Sequence, residues 1–132
     1  MEEMKVEQVT ADVELRYGER RIRLKSLVDT GTSTSLISRR LSEKVGSFIP
    51  LRKPYELKTA DKEGKLRVIG QCLVEVTFQN FEVPGRVLFD VAENLRDDID
   101  LVIERPEIEK WGIIFIPEGP RPKKVPIEFE VI

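Results

Sequence analysis

The sequence predicts a mostly β domain. Apolar and polar residues alternate with a period of two in long runs, such as residues 9–17 and 66–78, and this alternation is typical of strands with one buried face. Turn residues, among them Gly18 and the run 61–64, separate these stretches at hairpin spacing. Helical patterns are confined to short segments, so we expect only one or two short helices.

The predicted strands follow one another along most of the chain. The first two form a hairpin around Gly18 that leads into Asp29, and a second hairpin turns at residues 61–64. The run 99–103 is apolar almost throughout, which is typical of a strand buried on both faces. In chain order the predicted strands cover residues 9–17, 22–28, 55–57, 66–78, 81–91 with a break at 84–85, 99–103 and 127–131.

Short helices are predicted at two places between the strands. Ser38 has the side chain of a helix N-cap, and Gly46 is placed to end the helix that Ser38 begins. The second helix is predicted over residues 107–111, where Pro106 opens it and Gly112 closes it. Both helices are too short to change the fold class.

The chain is predicted to be a single domain, 1–132. Its 132 residues are enough to bury one core but few for two independent lobes. Four of the eight prolines lie between Pro117 and Pro126. We therefore expect an extended linker at residues 116–126, which joins a C-terminal strand at 127–131 to the rest of the domain.

Charge and composition exclude several classes of function. The chain has 22 Lys and Arg against 24 Asp and Glu, with the signs interspersed, so we expect no nucleic-acid partner and no membrane partner. It shows no targeting pattern and no apolar run of membrane-spanning length, which favours a cytoplasmic protein. With one cysteine and no histidine, it has no internal disulfide, and any catalysis depends on carboxylates, hydroxyls or amines.

The most informative segment is residues 26–38, where an apolar strand runs into Asp29, Thr30, Gly31 and Thr32. A carboxylate at the end of a buried strand is costly unless neighbouring groups stabilise its charge. The hydroxyls of the two threonines and the accessible amide of the glycine can supply that stabilisation. The segment therefore looks built to present one carboxylate, and Asp29 is the candidate catalytic residue.

Four stretches carry a resemblance to a known family. Residues 27–32, Leu-Val-Asp-Thr-Gly-Thr, resemble the active-site loop of the retropepsin-like, or retroviral-type, aspartic proteases. Residues 59–64 are similar to the flap hairpin of cellular and prokaryotic members, and residues 68–70 fit the strand that follows the flap. Residues 100–115 resemble the closing strand, the Gly-Arg turn, the short helix and the final strand. The resemblance covers roughly residues 9–116, nearly the whole chain.

This resemblance implies a closed β-barrel or sandwich with one lobe per chain, acting as a homodimer. Asp29 from each subunit would activate water to hydrolyse a peptide bond, without a metal or other cofactor. Thr30 would bond across to the other subunit, while Gly31 and Thr32 would donate to the carboxylates. The implied partners are a second copy of the chain and a peptide or protein substrate. By matching position, the resemblance assigns peptide binding to the flap residues Thr59, Ala60, Asp61 and Gly64.

One position departs from the family pattern. Where the family usually has glycine before the arginine, this chain has Glu104 before Arg105. A glycine position commonly needs a positive φ or a close backbone neighbour. We therefore expect Glu104 to disturb the floor of the site, or the dimer and site contacts that the resemblance implies for Arg105. A second hypothesis follows, a catalytically inactive module of the same fold that binds peptides or dimerises.

Other interpretations of the same motifs stay open. Residues 29–33 also resemble the first phosphate loop of the sugar-kinase, actin and chaperone ATPase class, but the second Asp-X-Gly loop of that class is absent. The same motif is compatible with a surface β-turn, and residues 59–64 with an ordinary hairpin turn. Asp97, Asp98 and Asp100 form an acidic cluster without the ligand spacing of a calcium site. The predicted C-terminal strand either joins a dimer interface or pairs within its own subunit.

Overall fold

The computed structural model of the chain describes residues 9–29, 34–58 and 65–113. Within them the chain forms eight strands and two short helices, so the predicted mostly β fold is confirmed. In chain order the elements are β1 Thr10–Tyr17, β2 Arg20–Asp29, β3 Leu36–Ser38, α1 Arg39–Val45, β4 Ile49–Lys58, β5 Lys65–Phe78, β6 Phe81–Glu82, β7 Val87–Ala92, β8 Leu101–Glu104 and α2 Arg105–Lys110.

Several of the sequence predictions concern segments outside the described residues. They are the loop residues Thr30, Gly31 and Thr32, the flap residues Thr59, Ala60, Asp61 and Gly64, the linker at 116–126 and the strand at 127–131. All of these stay predictions. The assignment of residues 1–132 to one domain also stays a prediction.

Strand pairing closes the described sheet into a barrel. The order β1-β2-β8-β3-β7-β5 returns to its start because β1 also pairs with β5, with Leu15 opposite Val76. Strand β8 lies between β2, to which it is parallel, and β3, to which it is antiparallel. Because the barrel is closed, each of its six strands is hydrogen-bonded to a neighbouring strand on both sides. The predicted closed barrel is thus confirmed, and β4 and β6 pair with β5 outside the ring.

The first hairpin shows how the alternating pattern builds the core. Ala11, Val13 and Leu15 of β1 are buried, while the residues between them are partly buried or exposed. Gly18 turns the chain with a φ of +62°, a conformation that costs glycine little. Apolar side chains from the strands and from α2 fill the barrel, the larger ones being Leu15, Ile37, Val74, Val76, Phe78, Phe89, Leu101, Ile103 and Ile108.

Helix α1 begins and ends where the sequence predicts. The hydroxyl of Ser38 accepts a hydrogen bond from the backbone N–H of Leu41 at 3.1 Å, and a cap of this kind contributes about 1 kcal/mol. Gly46 ends the helix with a φ of +89° and donates its N–H to the carbonyls of Ser42 and Glu43. Both signals are local, which is why the sequence alone was sufficient.

Helix α2 differs from the prediction at its start. It begins at Arg105, before the predicted range 107–111, so Pro106 lies inside the first turn. Proline is tolerated there because the N–H that it lacks would have no partner within the helix. The helix ends at Lys110, shortly before Gly112 at a φ of +84°. In the described parts of the chain, neither helix has the length and apolar character needed to cross a bilayer.

The hairpin of β4 and β5 is irregular where it leaves the barrel. Pro50 lies opposite Gly70, but the next paired residue of β4 is Tyr55, opposite Val68. Strand β5 also shifts its register against β7 between Val68 and Gly70. A Cβ atom on Gly70 would lie 2.6 Å from the Phe48 ring, so only glycine fits there without movement. Such bulges bend a strand and redirect its side chains.

Candidate active site

Asp29 is the last residue of β2, and backbone segments on both sides hold this end of the strand. Strand β8 runs parallel to β2 and places Glu104 opposite Asp29. On the other side, the N–H of Val28 donates to the carbonyl of Val9 at 2.8 Å. Because β2 and β8 point the same way, both end at the same edge of the sheet. The structure thus brings Asp29 and Arg105, predicted from separate motifs, to one end of the barrel.

Ser35 ties the residues after Asp29 to the end of β8. Its side chain is buried. The hydroxyl accepts a hydrogen bond from the N–H of Glu104 at 3.1 Å and donates one to Oε1 of Glu107 at 2.6 Å. One buried hydroxyl therefore forms hydrogen bonds both to the backbone at the end of β8 and to a side chain of α2. Sequence reasoning missed Ser35 because the run 32–35 carries only hydroxyl residues, and nothing local distinguishes the buried one.

Glu104 fits its position without backbone strain. Its φ of −78° and ψ of 144° are ordinary extended values, so the chain does not need glycine there. Burial raises the pKa of the Glu104 carboxyl, the charge of Glu107 raises it further, and Lys110 opposes them by lowering it. The expected disturbance is therefore electrostatic, because the Glu104 carboxyl is partly buried and lies near the carboxylate of Glu107.

Replacing Glu104 with glutamine is expected to stabilise the protein at neutral pH. Because the folded pKa of Glu104 lies above the unfolded value, the folded state gains from protonation at low pH and loses that gain as pH rises through the folded pKa. Glutamine has no such loss, so the Tm of Glu104→Gln relative to wild type should be higher at pH 7 than at about pH 4. Thermal melts at both pH values measure this difference.

The matched control is Glu82→Gln, which removes an exposed carboxyl on β6. Its Tm relative to wild type should change little between the same two pH values. A Tm difference for Glu104→Gln that is equal at both pH values would contradict the electrostatic explanation.

An apolar cluster, which we call the cleft cluster, lies beside Asp29 and apart from the barrel core. Leu27 belongs to it and lies opposite Val102. Side chains two residues apart on a strand share a face, so Leu27 and Asp29 point to the same side of β2. The cluster therefore forms an apolar wall next to the carboxylate. Its members, buried and partly buried, are Leu27, Leu36, Leu51, Leu57, Leu66, Val68, Ala92, Leu95, Ile99 and Val102.

The acidic cluster between β7 and β8 is engaged by basic and hydroxyl side chains. Oδ1 of Asp100 accepts hydrogen bonds from Ser38 Oγ at 2.6 Å and from Arg40 Nε at 2.8 Å. The Arg96 guanidinium lowers the pKa of Asp98 by a direct hydrogen bond. Over residues 9–29, 34–58 and 65–113, no group of three or more acidic, Cys or His residues could hold a metal ion. These contacts fasten the β7–β8 connection to the start of α1.

The described residues include only part of the predicted site. Asp29 and Arg105 lie at the same end of the barrel, and Arg105 Nε is 4.0 Å from Oε2 of Glu109. The predicted flap lies between β4 and β5, where Leu57 pairs with Leu66. Both leucines belong to the cleft cluster, so the segment between them begins and ends beside the apolar wall.

Comparison with known proteins agrees with this architecture. No protein-family model and no curated protein matches the sequence, but solved structures match the fold. The retroviral protease-like domain of Ddi1 from Leishmania major aligns with a TM-score of 0.56 and 18% identity, over 80% of this chain and 78% of that one. The EIAV protease in complex with the inhibitor HBY-793 aligns with a TM-score of 0.55 and 14% identity, over 83% and 93%. Identity this low shows the fold alone, and the chain has the retropepsin-like fold.

Proposed function

We propose that the protein is an aspartic endopeptidase that works as a homodimer, with one Asp29 from each subunit in a shared site. The strongest support is the position of Asp29 in a retropepsin-like fold, at the edge of the sheet where the parallel strands β2 and β8 both end. The carboxylate there ends a strand whose last residues are partly buried, and an apolar wall lies on its own face of the sheet.

The chemistry explains why two copies are needed. Peptide hydrolysis by carboxylates requires one group to take a proton from water and another to give one to the carbonyl oxygen or the leaving amine. A single Asp29 cannot be charged and neutral at once. Two copies a few ångströms apart share one proton, because like charges at that distance repel. The charged carboxylate activates the water, the neutral one protonates the substrate, and no covalent intermediate forms.

Neighbouring residues would complete this arrangement as the family resemblance implies. Thr30 would bond to the other subunit, and Gly31 and Thr32 would donate to the carboxylates. Arg105, directly after β8, would support the dimer contacts. These roles are proposals that rest on the match to the active-site loop and on the position of Arg105 at the same barrel end.

The proposed substrate is an extended peptide. A cleft between two subunits offers strand edges that pair with a peptide backbone, while alternate side chains enter pockets. The flap residues Thr59, Ala60, Asp61 and Gly64 would close over the peptide and exclude water, which strengthens electrostatic interactions inside the site. The cleft cluster, which includes Leu57 of β4 and Leu66 of β5, supports this proposal because it offers apolar surface for peptide side chains.

A second candidate function is a catalytically inactive module that binds peptides or dimerises. Glu104 favours it, because a partly buried carboxyl stands where the active family usually has glycine. Within either proposal we assign residues 1–132 to one domain in the cytoplasm.

Activity that depends on protein concentration tests the dimeric enzyme. Because each subunit supplies half of the catalytic pair, cleavage per chain should rise with concentration and level off where sedimentation shows complete dimerisation. Cleavage of a peptide library from acidic to neutral pH gives the rates, and a statine-type transition-state mimic should inhibit them. A sedimenting dimer that neither cleaves the library nor binds the mimic at any pH would favour the inactive module.

A further inference from the structure

We propose that Asp90 is a positioning residue that couples strand β4, which leads to the predicted flap, to the loop that follows Asp29. Its carboxylate is the shared acceptor of one hydrogen bond from each of these two segments. The consequence for catalysis rests on the proposed function. The coupling itself does not depend on the proposed function, so separate experiments test the coupling and its consequence.

The contacts of Asp90 connect three parts of the chain. Asp90 lies on β7, and its Oδ2 accepts hydrogen bonds from Tyr55 Oη at 3.0 Å and from Thr34 Oγ1 at 3.2 Å. Its backbone N–H donates to the carbonyl of Ser35 at 3.1 Å. Side chain and backbone of one residue thus hold the segment after the active-site loop, and the side chain also holds β4.

Tyr55 reaches Asp90 from a strand that is not its neighbour. Strand β5 lies between β4 and β7, and both pairings of β5 are irregular at this place, near Val68 and Gly70. Tyr55 is the first residue of β4 back in register after the bulge. Because bulges redirect side chains, we infer that this irregularity aims the phenol across β5.

The electrostatics keep the phenol in its donating form. Tyr55 is 43% exposed, yet its hydroxyl donates a hydrogen bond to a carboxylate of the protein. Burial raises the pKa of Tyr55, and the hydrogen bond and negative charge of Asp90 raise it further. A hydrogen bond between a neutral donor and a charged acceptor is stronger than one between neutral groups.

A shared anchor of this kind matters for peptide binding. The flap and the active-site loop must hold one relative position around a bound peptide, and fixing that position beforehand reduces the ordering cost of binding. Loss of the anchor should therefore weaken peptide binding. It should leave the chemical step at the paired Asp29 carboxylates nearly unchanged.

Hydrogen–deuterium exchange tests the coupling without any requirement for activity. Tyr55→Phe removes one donor and Thr34→Val removes the other. Because coupling is reciprocal, Tyr55→Phe should raise exchange at residues 34–35 as well as at 55–58, and Thr34→Val should do the same, by about fivefold for the loss of one hydrogen bond. Melting curves first establish that both variants are folded.

Tyr17→Phe is a matched control, because Tyr17 is 42% exposed and Tyr55 43%. It lies on β1 and should leave exchange unchanged in both segments. If each variant raises exchange only in its own segment, or in neither, the coupling is overturned.

Kinetics then test the consequence. Tyr55→Phe should raise KM by about fivefold and keep kcat within about twofold, the pattern of lost binding rather than lost chemistry. A change in kcat alone, or no change in KM, would overturn the role in peptide binding. If the wild-type protein cleaves no peptide, the proposed enzyme fails, while the exchange measurements still decide whether Asp90 couples the two segments.

Discussion

Replacing Asp29 with asparagine is expected to lower peptide cleavage by at least about 10³-fold. Asparagine has the size of aspartate, but its side chain neither accepts a proton from water nor donates one to the substrate as an acid does. Both members of the proposed pair change together, because the two subunits are identical. The loss should therefore appear in kcat, measured on a peptide that the wild-type protein cleaves.

The dimer should survive this substitution. Asparagine keeps the size of aspartate and removes the single charge of a pair that shares one proton, so Asp29→Asn should dimerise about as tightly as wild type in sedimentation. If the variant is inactive but dimeric, Asp29 acts in the chemical step. A variant that is inactive because it is monomeric would instead assign Asp29 to the interface.

Asp12→Asn provides the matched control. Asp12 lies on β1, its side chain is 74% exposed, and it pairs with Lys25 at 2.8 Å. An exposed ion pair of this kind contributes about 1 kcal/mol or less, so the control should cleave peptides at the wild-type rate. Equal activity of Asp29→Asn and wild type would remove Asp29 from the mechanism, and with it the proposed enzyme.

The sequence was sufficient where structure depends on near neighbours. The hairpin around Gly18, the cap at Ser38 and the stop at Gly46 each follow from a few adjacent residues, and all three lie where predicted. The start of α2 was misplaced because proline marks the first turn of a helix without fixing its first residue. Boundaries set by a single local signal carry this ambiguity.

Contacts between distant segments could not be predicted in the same way. Ser35 joins Glu104 and Glu107, and Asp90 joins Tyr55 and Thr34. Nothing in an isolated run of hydroxyls or carboxylates reveals which one the closed barrel will bury or bring to a partner. For Ser35 it is decided by the register of β3 against β8, and for Asp90 by the register of β7 against β3 and β5. Each register is a property of the whole sheet.

Glu104 shows how structure changes the question posed by a sequence difference. From the sequence, the missing glycine suggested a position that needs a positive φ or a close backbone neighbour, where Glu104 would disturb the floor of the site or the dimer contacts. The extended φ and ψ of Glu104 show that this position does not need a positive φ. The unfavourable feature that remains is a partly buried carboxyl close to the charge of Glu107. If the protein is inactive, the cause then lies in the charge or volume of Glu104, and Glu104→Gln and Glu104→Gly separate these two properties.

Replacing Phe89 with alanine is expected to cost about 3–5 kcal/mol of unfolding free energy. Phe89 is fully buried in the barrel core, so the substitution leaves a cavity among side chains that cannot close around it. Domains of this size commonly have about 5–15 kcal/mol in total, and the Tm should fall by about 10 °C or more. Urea unfolding at a fixed protein concentration measures the change, because dimerisation makes stability depend on concentration.

Leu88 is the control, because it is the neighbour of Phe89 on β7 and is 47% exposed. Leu88→Ala should cost only about 0.5 kcal/mol. A larger loss for Leu88→Ala than for Phe89→Ala would mean that β7 does not hold this register, since a slip of one residue exchanges the two faces of a strand. The same slip would turn Asp90 into the barrel and away from Tyr55 and Thr34. The stability of two adjacent residues therefore also tests the register on which the proposed coupling depends.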